Sequence, residues 1–527
     1  MYNLVKNNIV NVEIVDNLSR SYHHIMAIKS YTTQYINGEF VASTNTTTTI
    51  EVVDPNTAEV IATVPQGTEA DTEHAIAAAT AAFPAWSQRP SIERVGYITE
   101  FVRLVEQNKQ VLVNLTVAEL GCTTAFAEDV QVAALITHTH TLLDILSSNK
   151  DDSKEFAWEE GCGTNATVLK EPIGVVGCIT PWNYPCNQIA LKIIPALLAG
   201  CTVVLKPSEV TPLVAYLLME FFHASHLPPG VLNMVMGYGP DCGELLARHP
   251  DVALVSFTGS TRAGQRLTTV AATQSDTMKP IKTELGGKSA TLLLEDADYE
   301  KVIPIFVQQL LNNTGQSCNA LSRMLVPRHD YDRCIDLAVA TMQHVVIGDT
   351  RRDPTVTMGP VVSQVQYDRV RALIQQGIEK DGATVVCGGP DKPDHLRDSP
   401  GYYIQPTLFK DVTNDMTIAQ TEIFGPVLCV LPYETVDDAI ALTNATPYGL
   451  NNAVASTDVK KALQVAAQLD SGMVMINNTT RDPKGPFGGY KLSGNAREWG
   501  VHGLNEYLIT KTLNINLEDY RTLMYGK

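Results

Sequence analysis

At 527 residues the chain is too long for one ordinary hydrophobic core, so two or three domains are expected. Hydrophobic residues make up 44% and charged residues 18%, which is typical of a folded globular protein and excludes a largely disordered one. The net charge of −18 argues against general affinity for nucleic acids. No run approaches the ~20 apolar residues of a membrane span. We therefore expect neither nucleic acid nor a membrane as a partner.

The cysteines and the first residues bear on the cellular compartment. The ten cysteines are dispersed and none falls in a Cys-x-x-Cys pair, so no metal site and no dithiol redox motif is predicted. We expect reduced thiols and a cytoplasmic location. Residues 1–32 have no clean periodicity and no secretory signal. We interpret them as an extension, either disordered or a targeting sequence, and the second alternative leaves a mitochondrial location open.

The pattern then becomes regular. "QYINGEFV", residues 34–41, places an Asn-Gly turn between two short strands, and "VVDPNTAEVIATVP", residues 52–65, repeats that pattern. Two longer stretches, residues 69–83 and 92–120, carry apolar residues at helical spacing. These patterns predict two hairpins followed by amphipathic helices.

From residue 170 apolar runs alternate with helical stretches. "PIGVVGCI", "TVVLKP", "VLNMVM", "ALVSFTG" and "SATLLL" are typical of strands buried on both faces. A second set of strands and helices follows residue 318. This order predicts two α/β domains, each with a parallel sheet. We assign residues 33–150 and 170–286 to the first domain and 287–504 to the second, with 151–169 and 505–527 as separate excursions.

Two strand ends of the first domain could bind a dinucleotide, although the usual Gly-x-Gly-x-x-Gly is absent. "TVVLKPSE" ends in Lys206, Ser208 and Glu209, which could hydrogen-bond the ribose of an adenosine. "VSFTGSTRAG" supplies Gly259 and Ser260 at a helix start, where backbone N–H groups favour a pyrophosphate. Taken alone, an ordinary strand-to-helix turn is the better interpretation of that segment. If the site is real, the acidic Glu209 favours NAD over NADP.

Three residues could form a nucleophilic site. Cys318 lies among small and amide side chains in "NNTGQSCNAL", where a buried structural thiol is the common alternative. Glu284 precedes two glycines in "ELGGK" and could act as a base, or be a solvated loop charge. Asn183 in "ITPWNYP" could donate to an oxyanion, or bond to its own turn. Each interpretation is weak alone, and together they are stronger.

Seven motifs occur in the order found in the aldehyde dehydrogenase superfamily: "ITPWNYP", "LKPSE", "FTGSTRAG", "ELGGK", "GQSC", "EIFGPV" and "PFGGYKLSGNARE". The chain resembles that superfamily from about Tyr35 to Leu517. The resemblance implies that Cys318 is the nucleophile, Glu284 the general base and Asn183 the oxyanion donor. It also implies that NAD is the cofactor, bound by Thr180, Trp182, Lys206, Ser208, Glu209, Gly239, Gly259, Ser260, Leu285, Gly286, Glu422 and Phe424.

The implied activity is NAD-dependent oxidation of an aldehyde to its carboxylic acid, through a cysteine thiohemiacetal and a thioester that glutamate-activated water hydrolyses. Three alternative functions make different demands on the sequence. A CoA-acylating semialdehyde dehydrogenase shares the cysteine but commonly lacks the base, so Glu284 favours hydrolysis. A non-catalytic structural protein on this scaffold has no need to retain Cys318, Glu284 and Asn183 together. A cysteine hydrolase needs a histidine partner, and none lies close to Cys318 in sequence.

The resemblance also implies an assembly. The first domain would be Rossmann-like and bind NAD, the second would be catalytic, and residues 151–169 and 505–527 would form a small β bridging arm. An exposed strand edge on that arm would need a partner strand from another subunit, so we expect a homodimer or a homotetramer.

The substrate is less well specified by the sequence. The loop of residues 477–486 contains no aromatic residue, which counts mildly against a quaternary ammonium substrate such as betaine aldehyde. Arg481 and Lys484 could meet the carboxylate of a semialdehyde, although solvated loop charges are the simpler interpretation. Ala496 stands where the family usually has a glycine, which could shift a backbone turn without touching a catalytic role.

Overall fold

The computed structural model describes residues 29–147 and 157–526. Residues 1–28 of the predicted extension and residues 151–156 of the predicted arm lie outside the described residues. Within the described ranges the chain forms two seven-stranded sheets and two three-stranded sheets. Both large sheets are mainly parallel and alternate with helices, which confirms the predicted α/β fold class. Among the described helices, none combines the length and the apolar character needed to cross a membrane.

The first large sheet has five parallel strands and an antiparallel hairpin at one edge. Strand addition reverses direction between β8 (Val175–Ile179) and its neighbour β11 (Val252–Thr258), so a crevice opens outside the carboxyl ends of these two strands. In spatial order the strands are β12 (Ile281–Glu284), β11 (Val252–Thr258), β8 (Val175–Ile179), β9 (Thr202–Lys206), β10 (Leu232–Met234), β2 (Thr33–Ile36) and β3 (Glu39–Ala42).

Helices cover both faces of this sheet. They are α1 (Glu69–Ser87), α2 (Ser91–Gln107), α3 (Lys109–Leu120), α4 (Ala133–Ser147), α5 (Pro185–Ala199), α6 (Leu213–Ala224), α7 (Glu244–Arg248) and α8 (Thr261–Gln274). The short helix Thr124–Phe126 and a π turn, Ala127–Val132, lead into α4, and a second π turn, Gly239–Gly243, leads into α7. Helix α5 is buried along its whole length because α2, α4 and α6 pack around it.

The second large sheet is parallel except for one edge strand, β15 (Thr384–Cys387). In spatial order its strands are β15 (Thr384–Cys387), β16 (Thr407–Lys410), β17 (Val427–Tyr433), β14 (Arg323–Pro327), β13 (Ala290–Leu293), β18 (Asn451–Ala455) and β19 (Met473–Ile476). Its helices are α9 (Tyr299–Leu311), α10 (Tyr331–Gln343), α11 (Gln364–Glu379), α12 (Thr417–Gln420), α13 (Val436–Asn444) and α14 (Val459–Ala466). Residues 285–289 alone link β12 to β13, so the "ELGG" segment lies where the two sheets join.

Two small sheets lie outside these layers. In the first, β4 (Thr49–Asp54) and β5 (Glu59–Pro65) form a hairpin that β1 (Lys29–Ser30) joins. In the second, β6 (Glu159–Gly161), β7 (Thr167–Pro172) and β20 (Leu508–Leu513) are antiparallel. Helix α15 (Gly500–Asn505) precedes β20, and α16 (Leu517–Tyr525), which follows it, has no buried residue.

Most local predictions of secondary structure are confirmed. Both hairpins form, and Asn37 and Gly38 turn the first one with φ values of 55° and 80°. The long helical stretch is divided at Asn108 into α2 and α3. Strand β12 was not predicted, because its short sequence "IKTE" has neither an apolar run nor a clear alternation. The proposed domain boundaries stay a prediction, and β7 crosses the one placed between residues 169 and 170.

Candidate active site

Cys318 lies on a tight loop between α9 and β14. The preceding residues Asn313, Thr314 and Gly315 all have left-handed backbones, with φ values of 51°, 57° and 74°. Such conformations are costly for residues other than glycine, so the surroundings must hold them. At Gly315 a side chain would collide with the carbonyl of Gly425. The loop therefore needs small residues where it approaches the second sheet.

The side chain of Gln316 fixes this loop. Its amide nitrogen donates to the Asn313 carbonyl at 2.9 Å, and its amide oxygen accepts from the Val362 N–H at 2.9 Å. The Thr314 hydroxyl donates to the Gly359 carbonyl at 3.0 Å. With these bonds the backbone presents Cys318 in one position, as a preorganised site requires.

Asn183 follows β8 and lies against the same loop. Its side-chain nitrogen donates to the Gln316 carbonyl at 3.0 Å. Its own carbonyl accepts from the amides of Gln131 and Asn313, at 3.1 Å and 3.0 Å. An asparagine amide has two hydrogens, so one is left to donate toward a substrate oxygen at Cys318. The structure thus brings two of the three predicted catalytic residues to one loop.

Glu284 is the last residue of β12 and is buried where the two sheets join. Glu284 is only 2% exposed, and neither of its carboxyl oxygens has a hydrogen-bond partner among the described residues. Burial and then the carboxylate of Glu498 raise the pKa of Glu284 well above its usual range, against the opposing charges of Lys192 and Arg497. Once deprotonated, such a carboxylate is a strong base.

The Cys318 thiol is half-buried and shares its surroundings with Glu284. Burial, with the nearby carboxyls of Glu422 and Glu284, raises the pKa of the Cys318 thiol to about 12, while Arg481 acts in the opposite direction. The thiol is therefore neutral at neutral pH in this arrangement, and its proton must leave when the sulfur attacks. A side chain at Gly287 would collide with the Cys318 carbonyl, which explains the glycine there.

The sequence analysis missed a buried ion pair beside Glu284. Lys192 Nζ, from α5, lies 2.9 Å from Glu498 Oε1, and the two side chains are 1% and 5% exposed. Lys192 also donates to Ser256 Oγ at 3.1 Å, and that hydroxyl lies 3.3 Å from the Tyr507 hydroxyl. The second oxygen of Glu498 has no partner among the described residues. A single lysine inside the apolar run "QIALKIIPALLAG" was the available sequence signal.

Ten of the twelve predicted cofactor residues lie at or just past the carboxyl ends of the five parallel strands of the first sheet. Because parallel strands end at the same edge, residues far apart in sequence meet there, next to the point where strand order reverses. By strand they are Thr180 and Trp182 after β8; Lys206, Ser208 and Glu209 at β9; Gly239 after β10; Gly259 and Ser260 after β11; and Leu285 and Gly286 after β12.

The polar groups along this edge suit the parts of NAD. Lys206 Nζ and Glu209 Oε2 are 2.8 Å apart, and the Glu209 side chain is 29% exposed, so its carboxylate can reach a ribose. Ser260 caps α8 by accepting from the Ala263 N–H at 3.3 Å, at a helix start that favours a pyrophosphate. The buried Thr180 hydroxyl has no partner among the described residues and is free to bond a ligand.

The other two predicted cofactor residues approach this edge from the second sheet. Glu422 accepts from the Gly287 N–H at 3.0 Å, and a side chain at Gly286 would collide with its carboxyl. Burial raises the pKa of Glu422 to about 7. The Phe424 ring stands edge-on to Trp182, with ring centroids 5.3 Å apart. An acceptor for ribose hydroxyls and two rings thus face the crevice near Cys318, which fits a nicotinamide riboside.

A cavity of about 430 Å³ opens on the other side of the cysteine loop, beside Ser317 and Asn319. Aromatic rings line the cavity, but none of them belongs to the loop of residues 477–486. The composition of that loop alone therefore did not predict the cavity wall. Lys484 is exposed and is not part of the lining, whereas Arg481 is. The apolar lining comprises Phe126, Val130, Tyr184, Ala320, Leu321, Met475 and Trp499, and the polar lining Gln309, Asn312, Asn478, Thr479, Thr480 and Arg481.

Ala496 does not disturb the turn that usually carries a glycine. Its residue is 4% exposed, and its N–H donates to the Thr283 carbonyl at 3.1 Å. Ala496 is not one of the described non-glycine residues with positive φ, so its backbone is not left-handed. The neighbouring Asn495 side chain holds Thr283 as well, by accepting from its N–H at 2.8 Å. A methyl group is therefore accommodated here without backbone strain.

Known proteins are similar to this chain over most of its length. The model of the family described as "Aldehyde dehydrogenase family" matches residues 40–513. A 3-succinoylsemialdehyde-pyridine dehydrogenase from a Pseudomonas species is 42% identical over 487 residues, which cover 92% of this chain and 99% of that one. Among solved structures, a mutant of aldehyde dehydrogenase C from Pseudomonas syringae, complexed with NAD+ and octanal, is 41% identical with a TM-score of 0.87, covering 92% and 96% of the two chains.

A second solved structure is similar over the same extent. The Mycobacterium tuberculosis aldehyde dehydrogenase complexed with NAD+ is 38% identical with a TM-score of 0.88, covering 93% of this chain and 99% of that one. The agreement extends over nearly all of both chains, and the motifs that carry the sequence resemblance surround one crevice in the fold. The chain belongs to the aldehyde dehydrogenase family.

Proposed function

We propose that this protein is an NAD-dependent aldehyde dehydrogenase that oxidises an aldehyde to its carboxylic acid. One observation carries the proposal: Asn183 is bonded to the loop that carries Cys318, Glu284 is near enough to raise the pKa of the Cys318 thiol, and a 430 Å³ cavity opens at the two residues that flank Cys318. A nucleophile, an oxyanion donor and a base in that position are what acyl chemistry on an aldehyde needs. The family and its NAD-bound members support the same activity.

In the first step the Cys318 sulfur attacks the aldehyde carbon. A carbon–sulfur bond forms, the thiol proton passes to a base, and the carbonyl oxygen becomes an oxyanion. The second amide hydrogen of Asn183 and the Cys318 N–H donate to that oxygen, and these bonds strengthen as its charge develops. Glu284 is placed to take the proton, because both of its oxygens are unbonded and its raised pKa favours the protonated form.

In the second half of the reaction the substrate leaves as an acid. NAD held along the edge of the first sheet would supply the acceptor for the hydride of the substrate carbon, and the acyl group would remain on Cys318 as a thioester. After it has passed the thiol proton on, Glu284 removes a proton from water, and the water oxygen attacks the thioester carbon. The carbon–sulfur bond breaks, the acid is released, and Cys318 is left as a thiolate that takes a proton from Glu284. Glu498, whose second oxygen is unbonded, is the acceptor to which Glu284 can pass the proton.

The alternatives are less well supported by the site. Transfer of the acyl group to CoA would need no base for water, whereas Glu284 is kept buried and unbonded at a cost in stability. A structural protein would gain nothing from such a carboxyl or from the strained loop before Cys318.

The proposal is tested with purified protein, NAD and a panel of aldehydes in the absence of CoA. NADH formation, followed by absorbance, should be steady and stoichiometric with the acid produced. Cys318→Ala should abolish it while NAD still binds, as measured by calorimetry. Turnover that requires CoA, or unchanged activity of Cys318→Ala, would show that the assignment is wrong.

We extend the proposal to assembly and compartment. The edge strand β20 and the helix α16 expose Ile509, Leu523, Met524 and Tyr525, which are 45%, 75%, 60% and 55% exposed. Apolar side chains on an arm whose edge strand is paired on one side only, among the described residues, favour contact with a second copy, so a homodimer or a homotetramer is proposed. The cysteines are free, and one of them, Cys162, is exposed, which suits a reducing, cytoplasmic compartment.

A further inference from the structure

The cavity beside Cys318 contains a cation that the proposed mechanism does not use. Arg481 comes from the loop after β19, and the remainder of that loop is largely exposed. Its guanidinium turns inward instead, where burial lowers the pKa of Arg481 and the Cys318 and Tyr184 side chains lie within its field. The charge is therefore placed inside the cavity and next to the reacting sulfur.

This guanidinium has few protein partners. In the amide orientation that hydrogen bonding favours, the Asn319 oxygen accepts from both terminal nitrogens of Arg481, at 2.6 Å and 3.2 Å. The Nε of Arg481 is buried without a partner, and no carboxylate of the described residues pairs with it. Burial of a charged group without a counter-charge is unfavourable.

Another buried arginine shows what a structural role looks like in this protein. Arg323 donates from Nε to the Lys288 carbonyl, from one terminal nitrogen to Leu442 and Asn414, and from the other to Thr443. Its guanidinium is thus enclosed by protein acceptors. Arg481 lacks such a set and faces empty space lined by polar side chains, so its missing partners have to come from what enters the cavity.

We propose that Arg481 binds a carboxylate on the substrate, so that the enzyme prefers aldehydes that carry an acid group over neutral aldehydes of the same length. A guanidinium forms paired hydrogen bonds with a carboxylate, and the partnerless Nε with an adjacent terminal nitrogen offers that geometry. The polar amides and hydroxyls of Gln309, Asn312 and Asn478 favour a hydrophilic substrate in the same cavity. The inference rests on the proposed function, because it specifies the substrate of the same site.

The test compares acidic and neutral substrates of matched shape. Succinic, glutaric and adipic semialdehydes are each paired with the methyl ester of the same compound, and kcat/KM is measured for all six. The wild type should prefer at least one acid over its ester. Arg481→Leu should lower that preference by roughly 10- to 150-fold, the range expected for a hydrogen bond to a charged group. Arg481→Lys, which keeps the charge but not the paired donors, should lower it less.

Lys484 supplies the matched control. It lies on the same loop, carries the same charge and is exposed. Lys484→Gln should leave the acid-to-ester preference as it is in the wild type. An equal loss in both loop variants would show that the general charge of the loop attracts acids, and it would overturn the assignment to Arg481.

A purely electrostatic role at the thiol is the main competing explanation, because Arg481 lowers the pKa of the Cys318 thiol. That role would lower activity on acids and esters by the same factor. It would also shift the pH profile of Cys318 alkylation by iodoacetamide to higher pH in Arg481→Leu. Equal loss on both substrate classes, with that shift, would overturn the proposal.

A binding measurement separates this inference from the proposed function. Succinate and glutarate, which resemble the acid products, are titrated by calorimetry into the wild type and into Arg481→Leu, with the monoacid butyrate as the comparison. Tighter binding of the diacids that is lost in Arg481→Leu supports the inference even if no aldehyde is turned over. Equal binding of diacids and monoacid by the wild type overturns it, whatever the activity.

Discussion

Replacing Lys192 by methionine should destabilise the protein by about 3–5 kcal/mol, because it leaves the buried Glu498 carboxylate without its counter-charge. The two groups are 2.9 Å apart and the side chains are 1% and 5% exposed, so water cannot take the place of the lost partner. The second oxygen of Glu498 already has no partner among the described residues. Methionine is close to lysine in volume, so a cavity adds little to the loss.

The same substitution should change catalysis in a defined direction. The charge of Lys192 opposes the rise in the pKa of Glu284, so its removal raises that pKa further. Glu284 acts as a base only when deprotonated, and a higher pKa means that more of it is protonated at a given pH. The acid limb of the kcat profile should therefore move to higher pH. Urea denaturation measures the first effect, and initial rates between pH 5 and pH 9 measure the second.

Two further variants make the prediction refutable. Arg328 and Glu434 form an ion pair of similar length, 2.7 Å, but are 56% and 64% exposed, so Arg328→Met should cost at most about 1 kcal/mol. Removing both buried charges, as in Lys192→Met with Glu498→Leu, should recover most of the stability lost by Lys192→Met alone. If Lys192→Met costs no more than Arg328→Met, or if the double variant is the least stable of all, the reasoning about burial is wrong.

Three other substitutions and one deletion test the site and the fold. Glu284→Gln should slow both the first NADH per active site and the steady rate, because Glu284 takes a proton in both halves of the proposed reaction; a first turnover at the wild-type rate would contradict this. Glu209→Gln should narrow the preference for NAD over NADP in kcat/KM, and an NADP preference in the wild type would show that Glu209 does not face the ribose. Deletion of residues 505–527 should convert the oligomer to monomer in light scattering, whereas an unchanged mass would exclude a bridging arm. Burial raises the pKa of Glu119 from 4.5 to about 8. The protonated Glu119 side chain therefore contributes its full stability below pH 4.5, and that contribution is lost as the pH rises through 8. Glu119→Gln should flatten the fall in melting temperature over this pH range, and an unchanged slope would refute the prediction.

The strands and the cofactor edge could be predicted because their signals are local. An apolar run such as "TVVLKP" predicts a strand by itself, and the polar residues that follow each strand necessarily gather at one edge of a parallel sheet. Cys318, Glu284 and Asn183 were found for a similar reason, since each stands in a short motif with its own glycine or turn residues. Their common position is consistent with the fold, whereas their roles stay predictions.

The partners of buried charges could not be predicted, because only the fold brings them together. Lys192 and Glu498 are 306 residues apart, and nothing near either residue identifies the other. Arg481 differs from the sequence interpretation for a related reason. Loop composition favoured an exposed charge, and Lys484 is exposed, but Asn319 and the cavity wall cover Arg481. What covers a loop is decided by segments distant in sequence.

The raised pKa values of Cys318 and Glu284 are best understood together. A thiol beside a carboxylate and a thiolate beside a carboxylic acid each carry one negative charge, so moving the proton between the two groups leaves the total buried charge unchanged. Burial disfavours the Cys318 thiolate and the Glu284 carboxylate alike, so neither arrangement is strongly preferred. Because Glu284 makes no hydrogen bond that such a transfer would break, it can take the proton of the sulfur when a substrate carbon arrives, pass that proton to Glu498, and later give the sulfur a proton taken from water. The unbonded carboxyl that weakens the fold at this point is therefore what allows one residue to serve both halves of the proposed reaction.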